Sequence, residues 1–171
     1  NGHPLLPNEQ RGEVKIYSRK MEDMTHMFPN IIKQIQQLNL KSAIFDGEAI
    51  AIDKQTGKFL PFQQTVQRKR KYDVKKKAEQ IPIQIFIFDL LYLNNQSFLD
   101  KEFNQRRGEL EKIFKNIPED FSLKITKQEK INNEKDLKKF FEKSIDKNLE
   151  GIVVKQSQAT YQAGARGFHW V

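Results

Sequence analysis

A chain of 171 residues with 37% hydrophobic and 11% aromatic side chains is long enough for one domain with a substantial apolar core, which excludes a wholly disordered protein. It contains no cysteine, excluding disulfides, thiolate metal sites and cysteine nucleophiles, and shows neither a signal peptide nor an apolar run long enough to span a bilayer. The net charge of +8 favours a polyanionic partner, since phosphates attract a basic face and release counterions, although a lysine-rich solubilising surface accounts for the charge equally well.

Taken in chain order, Gly2, Pro4, Pro7 and Gly12 mark an exposed loop. Glu13-Val14-Lys15-Ile16-Tyr17 then alternates charged and apolar residues, the period of a half-buried strand. After Pro29 a helix is expected through Leu38, with Ile31, Ile32, Ile35 and Leu38 on one face. Residues 42–53 read as a strand, with Ile44, Asp46, Glu48, Ile50 and Ile52 on one face and Ala43, Phe45, Ala49 and Ala51 on the other. A turn over 54–58 precedes a short helix beginning at Pro61, and the run RKRKYDVKKK over 68–77 reads as a solvated basic segment.

Residues 83–93 give the strongest strand signal, apolar on both faces as a central strand is. Residues 103–114 and 135–147 read as amphipathic helices, the second with Asn133 as N-cap and Leu137, Phe140, Phe141 and Ile145 as its apolar stripe. Residues 121–127 and 151–155 read as further strands. This irregular order of strands and helices, without repeats or long linkers, points to an α+β domain rather than a regular parallel sheet.

Several residues stand out as candidates for chemistry. Glu48 is a carboxylate in an apolar strand, costly to bury without a cation, metal or donors; a strand edge facing water is the alternative. Glu150 and Lys155 bracket a short apolar strand, where oxygen ligation of Mg²⁺ and neutralisation of a phosphate are the matching roles. An ordinary buried strand with charged ends fits as well. Phe88, sharing a face with Phe86 and Tyr92, offers a ring for stacking on a purine, or is simply core. Arg19, Lys20 and Arg166 are cations suited to phosphate, or surface charges. His3, His26 and His169 lack metal-ligand spacing, and neither a P-loop nor a GxGxxG is present, so any use of ATP requires another architecture.

Five segments in order carry a resemblance: Ser18-Arg19-Lys20, Phe45-Asp46-Gly47-Glu48, Phe88-Asp89-Leu90-Leu91-Tyr92, Glu150 through Lys155, and Gly164 through Trp170. From about Glu13 to the last residue the chain resembles the adenylation domain of ATP-dependent DNA ligases, within the ligase and mRNA-capping superfamily of covalent nucleotidyltransferases. Ser18 through Thr25 with Phe28-Pro29, Pro61-Phe62-Gln63, and Arg68 through Asp73 favour ligases, closest in flavour to the replicative type of archaea and eukaryotes.

The resemblance implies an ATP-grasp-like α+β nucleotidyltransferase fold, with antiparallel sheets flanked by helices and a nucleotide cleft between the sheets. It implies nick sealing in duplex DNA through lysine–AMP and DNA-adenylate intermediates, with ATP as AMP donor and Mg²⁺ as cofactor. Carried over by position, Arg19, Glu48, Phe88, Glu150, Lys155 and Arg166 are nucleotide-binding, with Phe88 on adenine and Lys155 on the AMP phosphate. Glu48 and Glu150 serve the metal, and Arg19, Lys20, Arg68, Lys69, Arg70 and Lys71 serve the DNA backbone.

The family's Lys-x-Asp-Gly nucleophile motif and closing Lys-x-Lys motif have no counterpart in the sequence, and Asn1-Gly2 does not substitute for the first. The resemblance therefore places the nucleophilic lysine upstream of Asn1, and no catalytic residue is assigned within the chain. Residues 1–171 are expected to form a partial adenylation domain, truncated at both ends and inactive alone. The expected parent is monomeric and cytoplasmic or nuclear, with flanking DNA-binding and OB-fold domains and no membrane association. An RNA ligase or capping enzyme, and a non-catalytic basic nucleic-acid-binding domain, are the competing expectations.

Overall fold

Ile83–Leu93 forms the strand (β2) on which the other elements assemble, and the computed structural model describes it together with the rest of residues 12–60, 82–147 and 149–162. Ala43–Ala51 (β1) pairs with β2 antiparallel along its whole length. On the other side of β2 lie the two-residue strand Gln96–Ser97 (β3), antiparallel, and Leu123–Ile125 (β4), parallel. The four strands make one sheet, antiparallel except for β4.

The register of β1 on β2 is offset twice. Gly47 faces Ile87 while Asp46 faces Asp89, and Phe45 faces Leu90 while Ile44 faces Tyr92. Phe88 and Leu91 are thus the extra residues of two bulges, without partners across this ladder. The first bulge changes which residues meet the core. Buried Ile83, Ile85 and Ile87 follow strict alternation, and the row then continues at Leu90 rather than Asp89.

Among the described residues three α-helices accompany the sheet, and the first two of them pack against it. Pro29–Gln36 (α1) starts on a proline whose missing N–H is no loss at the first helical position, buries Ile31 and packs Ile35 against the core. Its Gln34 side chain accepts a 3.1 Å hydrogen bond from the Leu123 N–H, tying α1 to the end of β4. Phe103–Phe114 (α2) is closed at its start by the Glu102 N–H donating to Gln105 Oε1 at 3.2 Å, and it buries Leu110 and Phe114. Glu134–Ile145 (α3) begins at Asn133, whose side chain accepts from the Asp136 N–H at 2.9 Å.

The core joins Met27, Phe28 and Ile31 to the β2 isoleucines, Leu90, Phe98, Leu110, Phe114 and Leu123, with Phe45 edge-on to Phe114 at 6.1 Å. Each such large side chain contributes about 1.5–3 kcal/mol on burial.

The expected helix over 103–114 and strand over 83–93 have those bounds, and the helices after Pro29 and Asn133 form with slightly shifted ends. Two strand expectations fail. Residues 13–17 make only the isolated Tyr17–Asp23 bridge, because the chain turns back at once through 18–22. Residues 151–154 join no ladder among the described residues, and Val153 and Val154 are exposed. Their segment is held instead by hydrogen bonds to the start of α2, described below. The strand over 121–127 shortens to β4. The loop ahead of Gly12, the helix expected from Pro61 and the basic run 68–77 lie outside the described residues.

Candidate functional site

Asp89 is the residue around which the other polar groups gather. Its side chain is fully buried, and so is that of Arg106, one turn into α2. The Arg106 guanidinium donates Nε–H to Asp89 Oδ1 at 2.7 Å and Nη2–H to Oδ2 at 3.1 Å, the paired geometry of a planar fork on a carboxylate. Its remaining arm, Nη1, donates to the Lys101 carbonyl at 2.6 Å and the Ala159 carbonyl at 3.2 Å. Two charges removed from water are tolerable only when each is paired and further hydrogen-bonded, and here both conditions hold.

Arg106 also locks the last described stretch of chain onto α2. Beside it, the Phe103 N–H donates to the Ala159 carbonyl at 2.9 Å and the Asn104 N–H to the Ser157 carbonyl at 3.0 Å. The otherwise unsatisfied N–H groups at a helix start find partners this way. A third bond, from the Tyr161 N–H to the Leu99 carbonyl at 3.0 Å, completes the seam.

That docking delivers Lys155 to the sheet. Its Nζ lies 3.4 Å from Asp89 Oδ2, 4.9 Å from the centroid of the Phe88 ring and 4.8 Å from that of Phe103. The ammonium, 11% exposed, lies over two aromatic rings and against a carboxylate. Burial lowers the Lys155 pKa below its usual value, and the Asp89 charge opposes that shift.

Asp46, directly across the ladder from Asp89, accepts a 2.9 Å hydrogen bond from the Tyr161 hydroxyl. Burial first, and then this bond to Asp46, push the Tyr161 phenol up to about 12. Tyr161 also lies 5.8 Å from the Arg106 guanidinium carbon, so the two acids, the arginine, the lysine and the three rings form one connected cluster.

Of the residues singled out in the sequence, Phe88 and Lys155 come together here. Glu48 lies opposite Phe86 on β1 and is exposed, so the carboxylate that needed compensation for burial is Asp89 instead. Glu150 is exposed in the stretch leading to Lys155. Arg19 and Lys20 sit exposed at a tight turn closed by Ser18 N–H to Glu22 O at 2.9 Å and Met21 N–H to Ser18 O at 2.8 Å, with Met21 in the left-handed region at φ 61°. Arg68, Lys69, Arg70, Lys71 and Arg166 lie outside the described residues. So does Asn1, ahead of which the nucleophilic lysine is expected, and the geometry around that lysine is therefore no part of the described site.

No cluster of three or more His, Cys, Asp or Glu among the described residues is arranged to hold a metal unaided. Glu48 and Glu150 form no ion pair with another described residue, which leaves each carboxylate open to a cation. Each is a hard oxygen donor of the kind Mg²⁺ takes, an ion commonly held by one or two carboxylates together with substrate phosphates rather than by a full protein cage.

Asp89, Arg106, Phe103 and Tyr161 were not picked out by sequence reasoning. For Asp89 the signal was present: an acid inside the most apolar strand of the chain, seventeen residues before an arginine on a helix. The cost of burial weighed for Glu48 falls on Asp89.

Comparison with known proteins gives this architecture a class. The fold matches the ligase domain of M. tuberculosis LigD, with a TM-score of 0.70 and 24% identity over 94% of this chain and 47% of that one. A mycobacterial DNA ligase D complexed with ATP and MES matches with a TM-score of 0.68 at 24% identity, over the same shares.

The sequence carries the assignment further. The family described as ATP dependent DNA ligase domain matches residues 5–171, and the chain belongs to that family. It is 42% identical over 165 residues to a probable DNA ligase of Dictyoglomus turgidum, covering 96% of this chain and 28% of that protein. It is 38% identical over 160 residues to a DNA ligase of Nitrosopumilus maritimus, covering 93% and 27% respectively. The chain thus spans between a quarter and a third of the length of these relatives. Among the described residues no helix is long and apolar enough to cross a membrane.

Proposed function

We propose that this chain is the nucleotide-binding core of an ATP-dependent DNA ligase that seals nicks in duplex DNA. The observation that carries the reading is the placement of the Lys155 ammonium beside the Phe88 ring. A nucleotide presents a flat apolar base and an anionic phosphate to its site, and here an aromatic ring on a strand and a cation docked onto that strand stand next to each other.

In this reading Phe88 stacks on adenine and Lys155 neutralises the α-phosphate. Glu48, on the neighbouring strand, contacts the nucleotide, and Arg19 and Arg166 bind its phosphates. Glu48 and Glu150 hold Mg²⁺, which when bound offsets negative charge at the reacting phosphate. Arg19, Lys20, Arg68, Lys69, Arg70 and Lys71 bind the DNA backbone, positioning the nick without reading its sequence.

The reaction divides into three displacements. A lysine nitrogen of a Lys-x-Asp-Gly motif, supplied by the full-length protein ahead of Asn1, attacks the α-phosphorus of ATP; a P–N bond forms and pyrophosphate leaves. An oxygen of the 5′-phosphate at the nick then takes the AMP, freeing the lysine. The adjacent 3′-hydroxyl attacks that 5′-phosphate, loses its proton, and AMP leaves as the strand closes. Dividing one condensation into steps with good leaving groups is the logic of covalent catalysis. The full-length protein acts as a monomer with flanking DNA-binding and OB-fold domains, in the cytoplasm or nucleus.

The test is to incubate the full-length protein with α-labelled ATP and Mg²⁺, then chase with nicked duplex. Label on the protein that moves to DNA as the nick closes is the expected result. A folded protein that binds DNA but takes no label would overturn the reading.

A further inference from the structure

We propose that Asp89 and Phe103 are positioning residues that hold the Lys155 ammonium in place for the nucleotide phosphate. The inference rests on the nucleotide-binding reading above and assigns roles to two residues that reading does not use.

The geometry separates the duties of the groups involved. Asp89 spends its short, well-aligned contacts on Arg106, at 2.7 and 3.1 Å, and offers Lys155 only a 3.4 Å contact from Oδ2. A carboxylate already neutralised by a guanidinium attracts a second cation weakly, so Lys155 is oriented by Asp89 without being captured by it. The Phe103 ring supplies a second aromatic face, its centroid 4.8 Å from Nζ and that of Phe88 4.9 Å. Two ring faces stabilise an ammonium electrostatically while making no hydrogen bond that an incoming phosphate would have to displace.

Phe103 is itself fixed. It is buried at the first position of α2, and its N–H is bonded to the Ala159 carbonyl. The ring that cages Lys155 and the chain that carries Lys155 are therefore joined at one point.

Among the described residues, the charged groups that act on Lys155 include Asp89 on β2, Asp46 on β1 and Arg106 on α2. Burial and Arg106 favour the neutral amine, whereas the two carboxylates favour the ammonium. Removing the Asp89 charge leaves Arg106 uncompensated and moves Lys155 deprotonation to lower pH.

The experiment measures binding of α,β-methylene-ATP to the full-length protein as a function of alkaline pH, for the native sequence and for Asp89→Asn and Phe103→Leu. In the native protein affinity falls as Lys155 deprotonates. Asp89→Asn is expected to shift that fall to lower pH, which a purely structural defect does not do. Phe103→Leu, which leaves the buried ion pair intact, is expected to weaken binding at neutral pH by about three- to tenfold.

An unshifted alkaline limb in folded Asp89→Asn overturns the proposal. If Asp89→Asn does not fold, Phe103→Leu decides, and unchanged affinity there overturns it. Labelling of the native protein by α-labelled ATP is run alongside. Absence of label removes the nucleotide-binding reading itself, whereas label with unresponsive variants removes only the roles of Asp89 and Phe103.

Discussion

The hydroxyl of Tyr161 donates a 2.9 Å hydrogen bond to Oδ2 of Asp46, joining positions 115 residues apart in the chain. The bond ties the last described residues to strand β1, two residues before Glu48, while Arg106 ties the same stretch to β2 through Ala159 and Asp89. Strands β1 and β2 are thereby both fastened to the segment that carries Lys155.

Tyr161→Phe removes only the hydroxyl. Loss of one half-buried hydrogen bond to a carboxylate is expected to lower stability by about 1 kcal/mol, read as a fall in the urea midpoint with an unchanged slope. The folded-state phenol, near 12, lies above its usual value of 10.0, so its contribution is complete below about pH 10 and fades as pH rises toward 12. In an ultraviolet titration of phenolate, the Tyr161→Phe protein should lack the component near pH 12.

Arg106→Met leaves Asp89 as a buried carboxylate without its guanidinium, and Lys155 is too distant to replace the lost hydrogen bonds. The expected cost is about 3–5 kcal/mol in chemical denaturation. The double variant Asp89→Leu with Arg106→Met removes the orphaned charge and should be more stable than Arg106→Met alone. Recovery should stop short of the native protein, because the Lys101 carbonyl still loses the 2.6 Å bond from Arg106. A double variant less stable than the single one would refute the account.

Two glycines make opposite predictions. A Cβ on Gly47 would stand 2.9 Å from the Phe86 carbonyl oxygen and 3.3 Å from the Ile87 Cα, backbone atoms that cannot step aside. Gly47→Ala should cost about 1–3 kcal/mol and disturb the register that carries Glu48. Gly108 lies inside α2 with open space where its Cβ would be. Gly108→Ala should therefore stabilise by about 0.5–1 kcal/mol through lower chain entropy in the unfolded state. Thermal melts of the two variants should move in opposite directions.

The 171-residue chain by itself is expected to take no label from α-labelled ATP in the presence of Mg²⁺, since no Lys-x-Asp-Gly occurs in its sequence. Denaturing electrophoresis decides the matter, and a labelled band at 20.2 kDa would show that another lysine serves as nucleophile.

Much of the fold was legible because its signals are local. The apolar run of β2, the capping of α3 by Asn133 and the proline at the start of α1 each depend on a few neighbouring residues. The candidate site was legible only in part. Phe88 and Lys155 are candidates by residue type, with plain core and a charged strand end as the competing readings, and it is the family resemblance that selects both. Asp89 carried a signal as an acid that alternation places in the buried row with Ile85 and Ile87, but its partner Arg106 lies on a helix seventeen residues on, and neither that pairing nor the bulge is visible to a period of two. Residues 151–155 read as a strand, of which only Lys155 makes an isolated bridge, and the segment is held by carbonyl groups at Ser157 and Ala159 that meet the start of α2, a tertiary contact no local pattern encodes.

The bulge makes Phe88 supernumerary to the sheet. With residue 88 removed, Ile87 and Asp89 would be adjacent, each still opposite its present neighbour, Gly47 and Asp46. Ile87 and Leu90 would then follow one another in the buried row by plain alternation, with Asp89 between them on the other face. A single-codon deletion at this point is expected to keep the core and the pairing of Asp89 with Arg106, and to take away only the Phe88 ring, leaving that of Phe103 beside Lys155. An aromatic residue that persists at position 88 across generations is consequently held there by selection for what the ring touches, because the sheet would close without it.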